Sequence, residues 1–110
     1  MKASELRVGN IVQSDGSIFT IEPHHLIDIE KTATNPITLT KEWLVKFGFE
    51  IHVNINNEYL KKDVLYFYGK GLICQIGEYS SESLRHIKYV NQLQNLYYAL
   101  TGEELEIINP

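Results

Sequence analysis

Between residues 89 and 102 the apolar positions recur at helical spacing. Tyr89, Val90, Leu93, Leu96, Tyr97 and Leu100 fall within an arc of roughly 120° at about 100° per residue, with Asn91, Gln94, Asn95 and Tyr98 opposite. The pattern predicts an amphipathic helix closed by Gly102, which can take the left-handed conformation at the position after a helix end. Earlier in the chain the period is two. Leu6 to Gln13 and Ser17 to Ile21 flank Asp15-Gly16, a turn signal, and predict a first hairpin. His25, Ile27 and Ile29 alternate with His24, Leu26, Asp28 and Glu30 as a third strand, and Lys31 to Pro36 reads as a polar linker. Thr40 is an N-cap for a two-turn helix from Lys41 to Phe47 that Gly48 stops. Phe49, Ile51, Val53 and Ile55 then alternate with Glu50, His52 and Asn54 to give the clearest strand, and Asn56-Asn57 turns the chain into a return strand over Glu58 to Lys62. Val64–Tyr68 and Leu72–Ile76 flank Gly69-Lys70-Gly71 as another hairpin, and Leu84 to Lys88 form a last strand before the helix.

Strands enclose helices without regular βαβ alternation, so the fold class expected is α+β. It is a mostly antiparallel sheet with N-terminal β-hairpins, one short middle helix and one C-terminal amphipathic helix packed on the sheet. A helix of two turns is unstable alone, so Trp43, Phe47, Leu93, Leu96 and Leu100 are expected to be buried together against one sheet. At 110 residues and 44% hydrophobic content the chain suits one small domain, residues 1–110, whose seam, if it has one, separates a β-subdomain (1–35) from an α+β part (36–110).

Charge narrows the function classes. The formal net charge is −4, and the 10 basic and 14 acidic residues divide evenly between the two halves of the chain, so neither half is a basic arm. Strong non-specific nucleic-acid binding, which needs clustered Lys or Arg, is disfavoured. The one cysteine, Cys74, fits a reducing compartment. No apolar run approaches the roughly 20 residues of a membrane span, and no signal-type segment follows Met1, so the reading is a cytoplasmic protein without a membrane partner.

The Leu6-Arg7-Val8-Gly9-Asn10-Ile11-Val12 opening with its short hairpin resembles the start of small SH3-like barrels. Leu39 to Glu50, with Trp43-Leu44-Val45-Lys46-Phe47-Gly48-Phe49, and Ile87 to Leu105, with Gln92-Leu93-Gln94-Asn95-Leu96-Tyr97-Tyr98-Ala99-Leu100-Thr101-Gly102, resemble a family of small uncharacterised bacteriophage and prophage proteins. The likeness spans nearly the whole chain. It implies a phage or mobile-element context and transfers neither an activity nor a site, because the family has no assigned activity.

Several constellations could carry chemistry. Cys74 would need a lowered pKa to act as a nucleophile with His52 or His86, yet it lies between Leu72 and Ile76, where a cysteine behaves as a small buried hydrophobe. Gly69-Lys70-Gly71 lacks phosphate-loop spacing and reads as a turn. His24, Asp28 and Glu30 share a strand face, but strand positions four apart lie about 13 Å apart, too far for one ion unless the strand bends. Glu103, Glu104 and Glu106 follow a helix end, as an acidic tail does. No nucleophile, base and orienting group share suitable spacing, so a non-enzymatic protein without cofactor or metal is expected.

Two binding surfaces stand out. The polar face Asn91, Gln94, Asn95 and Tyr98 carries no charge, and charge depletion with aromatic enrichment describes interface cores, which points to a protein partner or self-association. The competing assignment is a neutral exposed face, or one covered by the chain's own loops, such as Tyr79 to Ser83. The second surface is a basic-aromatic patch, Tyr59, Lys61, Lys62, Tyr66, Tyr68 and Lys70, suited to a nucleotide, nucleic acid or other small ligand, unless its tyrosines are sheet packing. The leading expectation is an inhibitor or adaptor of a host factor, or a homo-oligomer subunit. The alternative is a small β-barrel-like ligand-binding module.

Overall fold

The computed structural model describes residues 6–14, 16–22, 34–53, 58–69, 71–77 and 83–109. Its elements are, in chain order, β1 (Ile11–Ser14), β2 (Ser17–Thr20), β3 (Thr34–Asn35), α1 (Lys41–Lys46), β4 (Glu50–Val53), β5 (Glu58–Lys62), β6 (Leu65–Tyr68), β7 (Ile73–Ile76) and α2 (Val90–Thr101). The class is α+β, with antiparallel pairing throughout. Two compact units make up the chain. The first joins Met1–Thr38 to Tyr89–Glu104, and the second joins Leu39–Lys88 to Leu105–Pro110. The C-terminal helix therefore groups with the N-terminal strands and not with residues 39–88.

In the first unit β1 and β2 form the expected hairpin, with Ile11 opposite Thr20 and Ser14 opposite Ser17. Gly16 takes φ 83° in the turn, a conformation that costs a residue with a Cβ about 1 kcal/mol or more. Thr34 and Asn35, expected in a linker, instead pair with Ser14 and Gln13 on the other edge of β1, giving the order β2-β1-β3. Leu6, Val12 and Ile21 form the core with half-buried Phe19. The third strand expected near residues 25–29 lies outside the described residues.

Helix α2 lies against β1. Tyr89 enters it in extended conformation and donates its N–H to Gln92 Oε1 at 3.1 Å, satisfying one of the orphan donors of the first turn. Val90 N–H finds the carbonyl of Ile37 at 2.8 Å. At the other end Gly102, at φ 75°, donates to the Tyr98 carbonyl at 2.8 Å, so the glycine stop works as expected. The buried face is rotated from the one the apolar period predicts. Val90, Asn91, Leu93, Gln94 and Tyr97 are buried, Leu96 is half-buried and Leu100 is 40% exposed. The expectation that Leu96 and Leu100 belong to the core with Trp43 and Phe47 is thus corrected. Trp43 and Phe47 are buried in the second unit, and only Leu93 of the three leucines is buried in the first.

In the second unit Thr40 caps α1, its Oγ1 accepting from Trp43 N–H at 3.3 Å. The helix ends at Phe47, and Gly48 at φ 91° turns the chain toward β4. A six-residue helix leaves most of its carbonyls without internal partners. The C-terminal segment supplies some, since the N–H groups of Ile108 and Asn109 donate to the Lys46 carbonyl at 2.7 and 2.9 Å. Trp43 and Phe47 meet at 5.8 Å between ring centres, and the Lys46 ammonium sits 4.8 Å from the Trp43 ring.

The four strands β4-β5-β6-β7 run as an antiparallel meander. Directly opposed residues share a face, so Ile51, Leu60, Phe67 and Cys74 line one side. Leu60, Phe67 and Cys74 are buried there, and the Phe49 ring meets Phe67 edge-on at 5.6 Å. Lys41 of α1 pairs with Glu58 of β5. The strand expected over Leu84 to Lys88 is reduced to an isolated bridge between Leu84 and Cys74, after which the chain turns.

Candidate ligand face of the four-stranded sheet

Register decides what the other side of this sheet presents. One cross-strand row is His52, Tyr59, Tyr68 and Ile73, and the next is Glu50, Lys61, Tyr66 and Gln75. Four of the six patch residues read from sequence, Tyr59, Lys61, Tyr66 and Tyr68, therefore stand together. Lys62 does not join them. It opposes Leu65 and leaves the strand on the other side, because successive strand residues alternate, and its side chain reaches only the groove at the strand end. Lys70 lies outside the described residues.

The rings of this face are in mutual contact. His52 stacks on Tyr59 with centres 5.1 Å apart and planes 8° from parallel. Tyr59 lies 5.4 Å from Tyr68 and 5.9 Å from Tyr66, and Tyr66 and Tyr68 are 6.0 Å apart at 8°. The Lys61 ammonium sits 5.4 Å from the Tyr66 ring centre, within cation–π range. Tyr66 is buried beneath this cluster, whereas Tyr59, Tyr68, His52 and Lys61 are half-buried and keep surface for a ligand. His52, absent from the patch read from sequence, belongs at its centre. Its Nε2 lies 3.5 Å from Glu50 Oε2, so the pair is ionic only when the imidazole is protonated. At this end of the rings an open groove of about 460 Å³ is lined by Gly48, Glu50, His52, Lys61, Lys62 and Asp63.

The amide face of α2 does a different job. Gln94, 1% exposed, donates Nε2–H to the Gly9 carbonyl at 2.9 Å and accepts the Ile11 N–H on Oε1 at 2.8 Å. Ile11 opens β1 and Gly9 lies two residues before it, and both fall beyond the reach of the two-residue β3, which pairs with Gln13 and Ser14. The glutamine side chain replaces a strand partner there. Asn95 Oδ1 accepts from Arg7 Nε at 2.9 Å and from Asn10 Nδ2 at 2.8 Å. Arg7 also donates to the Gln94 carbonyl at 3.1 Å, pairs with Glu104, and holds its guanidinium 4.7 Å from the Tyr98 ring centre. Asn91 is 3% exposed and Tyr98 46% exposed. Of the four residues singled out on this face, two are buried, and Asn95 and Tyr98 engage Arg7 of their own unit. The covering segment is Arg7 to Ile11, and Glu104 is held in place rather than lying in a loose acidic tail.

Cys74 is fully buried on the apolar side of the sheet, and burial pushes its thiol up to about 12, the reverse of what a thiolate nucleophile requires. Among the described residues no three His, Cys, Asp or Glu side chains come together to hold a metal ion. His24, Asp28 and Glu30 lie outside them. Nor is any helix among the described residues long and apolar enough to cross a membrane. No protein-family model, curated protein or solved structure matches this chain.

Proposed function

We propose that the protein is a non-catalytic binding module whose ligand lies on the His52, Tyr59, Tyr66 and Tyr68 face of the four-stranded sheet. The observation that carries this reading is the contact of those four rings on three neighbouring strands, with a lysine ammonium over one of them. The parts of His52, Tyr59 and Tyr68 left exposed by their mutual contact offer apolar area with a polar rim, and Lys61 adds a partner for an anionic group. A ligand with a nucleobase-like ring and a phosphate or carboxylate meets both requirements. The phage or mobile-element setting implied by the family resemblance, and action in the host cytoplasm, belong to the same proposal.

Calorimetric titration with adenosine monophosphate tests it. Binding that is lost in both Tyr59→Ala and Tyr68→Ala, with the far-UV spectrum unchanged, supports the face as the site. Binding indifferent to both substitutions, or no heat with any nucleotide, aromatic acid or oligonucleotide, refutes it.

A second reading, contact with a protein partner, rests on the exposure of Tyr89, Tyr98 and Leu100 along α2. Of the amides that first suggested this surface, Gln94 and Asn95 are hydrogen-bonded within the unit and Asn91 is buried. Light scattering on wild type and Leu100→Lys separates the readings, because only an interface through this helix changes mass on substitution.

A further inference from the structure

We propose that the outer edge of β4 is a self-association surface, joining two copies of this chain by antiparallel pairing of Glu50–Val53 across a two-fold axis. The order β4-β5-β6-β7 gives β4 one neighbour, and among the described residues no strand pairs with its other side. At the opposite edge β7 is already met by Leu84. An open strand edge offers a row of backbone donors and acceptors to any chain that can pair with it, and sheets commonly blunt such an edge with lysine or proline. β4 carries neither. It presents β-branched apolar side chains instead, Ile51 at 47% exposure and Val53 at 75%. The row Cys74, Phe67, Leu60 and Ile51 runs buried across three strands and comes into water at Ile51. One more strand would carry that row on and cover its exposed end.

The residues of β4 also select the strand that fits. Directly opposed residues share a face of a sheet, so a two-fold axis at the middle of β4 sets either Ile51 against Ile51 or His52 against His52. The first register is complementary on both faces. It puts Glu50 of each copy opposite His52 of the other, a carboxylate beside an imidazole at two symmetry-related places, whereas the second puts imidazole against imidazole. On the core side it brings the two Ile51 side chains together and sets Val53 across from Phe49, the apolar residue that precedes the strand. Each side chain of the strand thus meets a match in the same sequence, as the interface of a two-fold dimer requires. An unrelated extended segment would have to supply both the apolar and the charged pattern by chance. The edge can pair in this way whether or not the ring face takes a ligand.

Sedimentation equilibrium over a dilution series gives the test. Wild type should pass from the mass of one chain to twice that mass as concentration rises. Ile51→Lys, which puts a charge at the centre of the interface, should hold the mass of one chain throughout, with the far-UV spectrum unchanged. Glu50→Lys and His52→Glu should each raise the dissociation constant roughly tenfold, because each removes the attraction at two symmetry-related pairs. An equimolar mixture of these two variants should return close to the wild-type constant, since the mixed dimer pairs the new lysine with the new glutamate and His52 with Glu50. Their side chains are 79% and 40% exposed, so the mixture decides the matter even where Ile51→Lys disturbs the fold. Wild type at the mass of one chain throughout, a folded Ile51→Lys that still dimerises, or a mixture no tighter than its separate components each overturns the proposal.

Discussion

Gln94 is the residue on which the first unit should depend most for its size. Its amide closes two hydrogen bonds with the main chain, at Gly9 and at Ile11 of β1, and the side chain is almost wholly removed from solvent. Gln94→Met keeps the length and helix propensity but leaves a buried donor and acceptor unpaired. Each such group costs about 1 to 3 kcal/mol, and partial access of water to Gly9 lowers the sum, so a loss of roughly 2 to 4 kcal/mol is expected. Gln94→Glu sharpens the test. Its carboxylate can still accept from Ile11 N–H but faces the Gly9 carbonyl, whereas the protonated acid can restore the lost donor. Its pKa should be raised in the folded state. The folded protein then binds more protons than the unfolded one, and the stability of this variant relative to wild type should fall as pH rises through the ordinary glutamate value of about 4.3. Urea unfolding followed by far-UV circular dichroism at about pH 3.5 and 7 measures both effects. A loss below about 1 kcal/mol for Gln94→Met, or no pH dependence for Gln94→Glu, would refute the view that this side chain serves as a strand partner.

Leu93→Ala should destabilise by roughly 2 to 5 kcal/mol because the residue is fully buried, while Leu96→Ala, at a half-buried position, should cost about 1 kcal/mol or less; denaturant midpoints at constant slope compare the two. Native Cys74 should resist thiol reagents at neutral pH, labelling only at the rate of unfolding. Because burial raises its thiol from 9.0 to about 12, the folded state holds a proton that the unfolded state loses above pH 9, so stability should drop by about 1.4 kcal/mol per pH unit from this group as pH climbs from 9 toward 12. That component should be missing from Cys74→Ala.

What could be read in the sequence is what short-range patterns encode. Asp15-Gly16, Gly48 and Gly102 punctuate the chain where their neighbours' periodicity changes, and the hairpins and both helices appear beside them. The orientation of α2 was harder to read. A hydrophobic period assumes that amides face water, but Gln94 and Asn91 are buried and Leu100 is not. The partners of Gln94 are main-chain groups some 80 residues away, invisible to any window along the helix. The tyrosine patch was legible as a set because its members are spaced by two on β5 and β6. Parity alone would have removed Lys62, which follows Lys61. His52 could be added only with the pairing of β4 to β5, which no pattern within either strand contains. Lastly, Leu84 to Lys88 has a strand's composition but only one bridge to an edge, because the chain turns at Arg85 and His86.

The central claim is that the outer face of the four-stranded sheet is where this protein meets its ligand. Backbone amide shift mapping by ¹H–¹⁵N NMR, with adenosine monophosphate added to saturation, tests it most directly. The account predicts perturbations concentrated at His52, Tyr59, Lys61, Tyr66 and Tyr68, with the buried residues of α2 nearly unmoved. Shifts confined to α2 around Tyr98 and Leu100, or no shifts anywhere at saturating nucleotide, would contradict it.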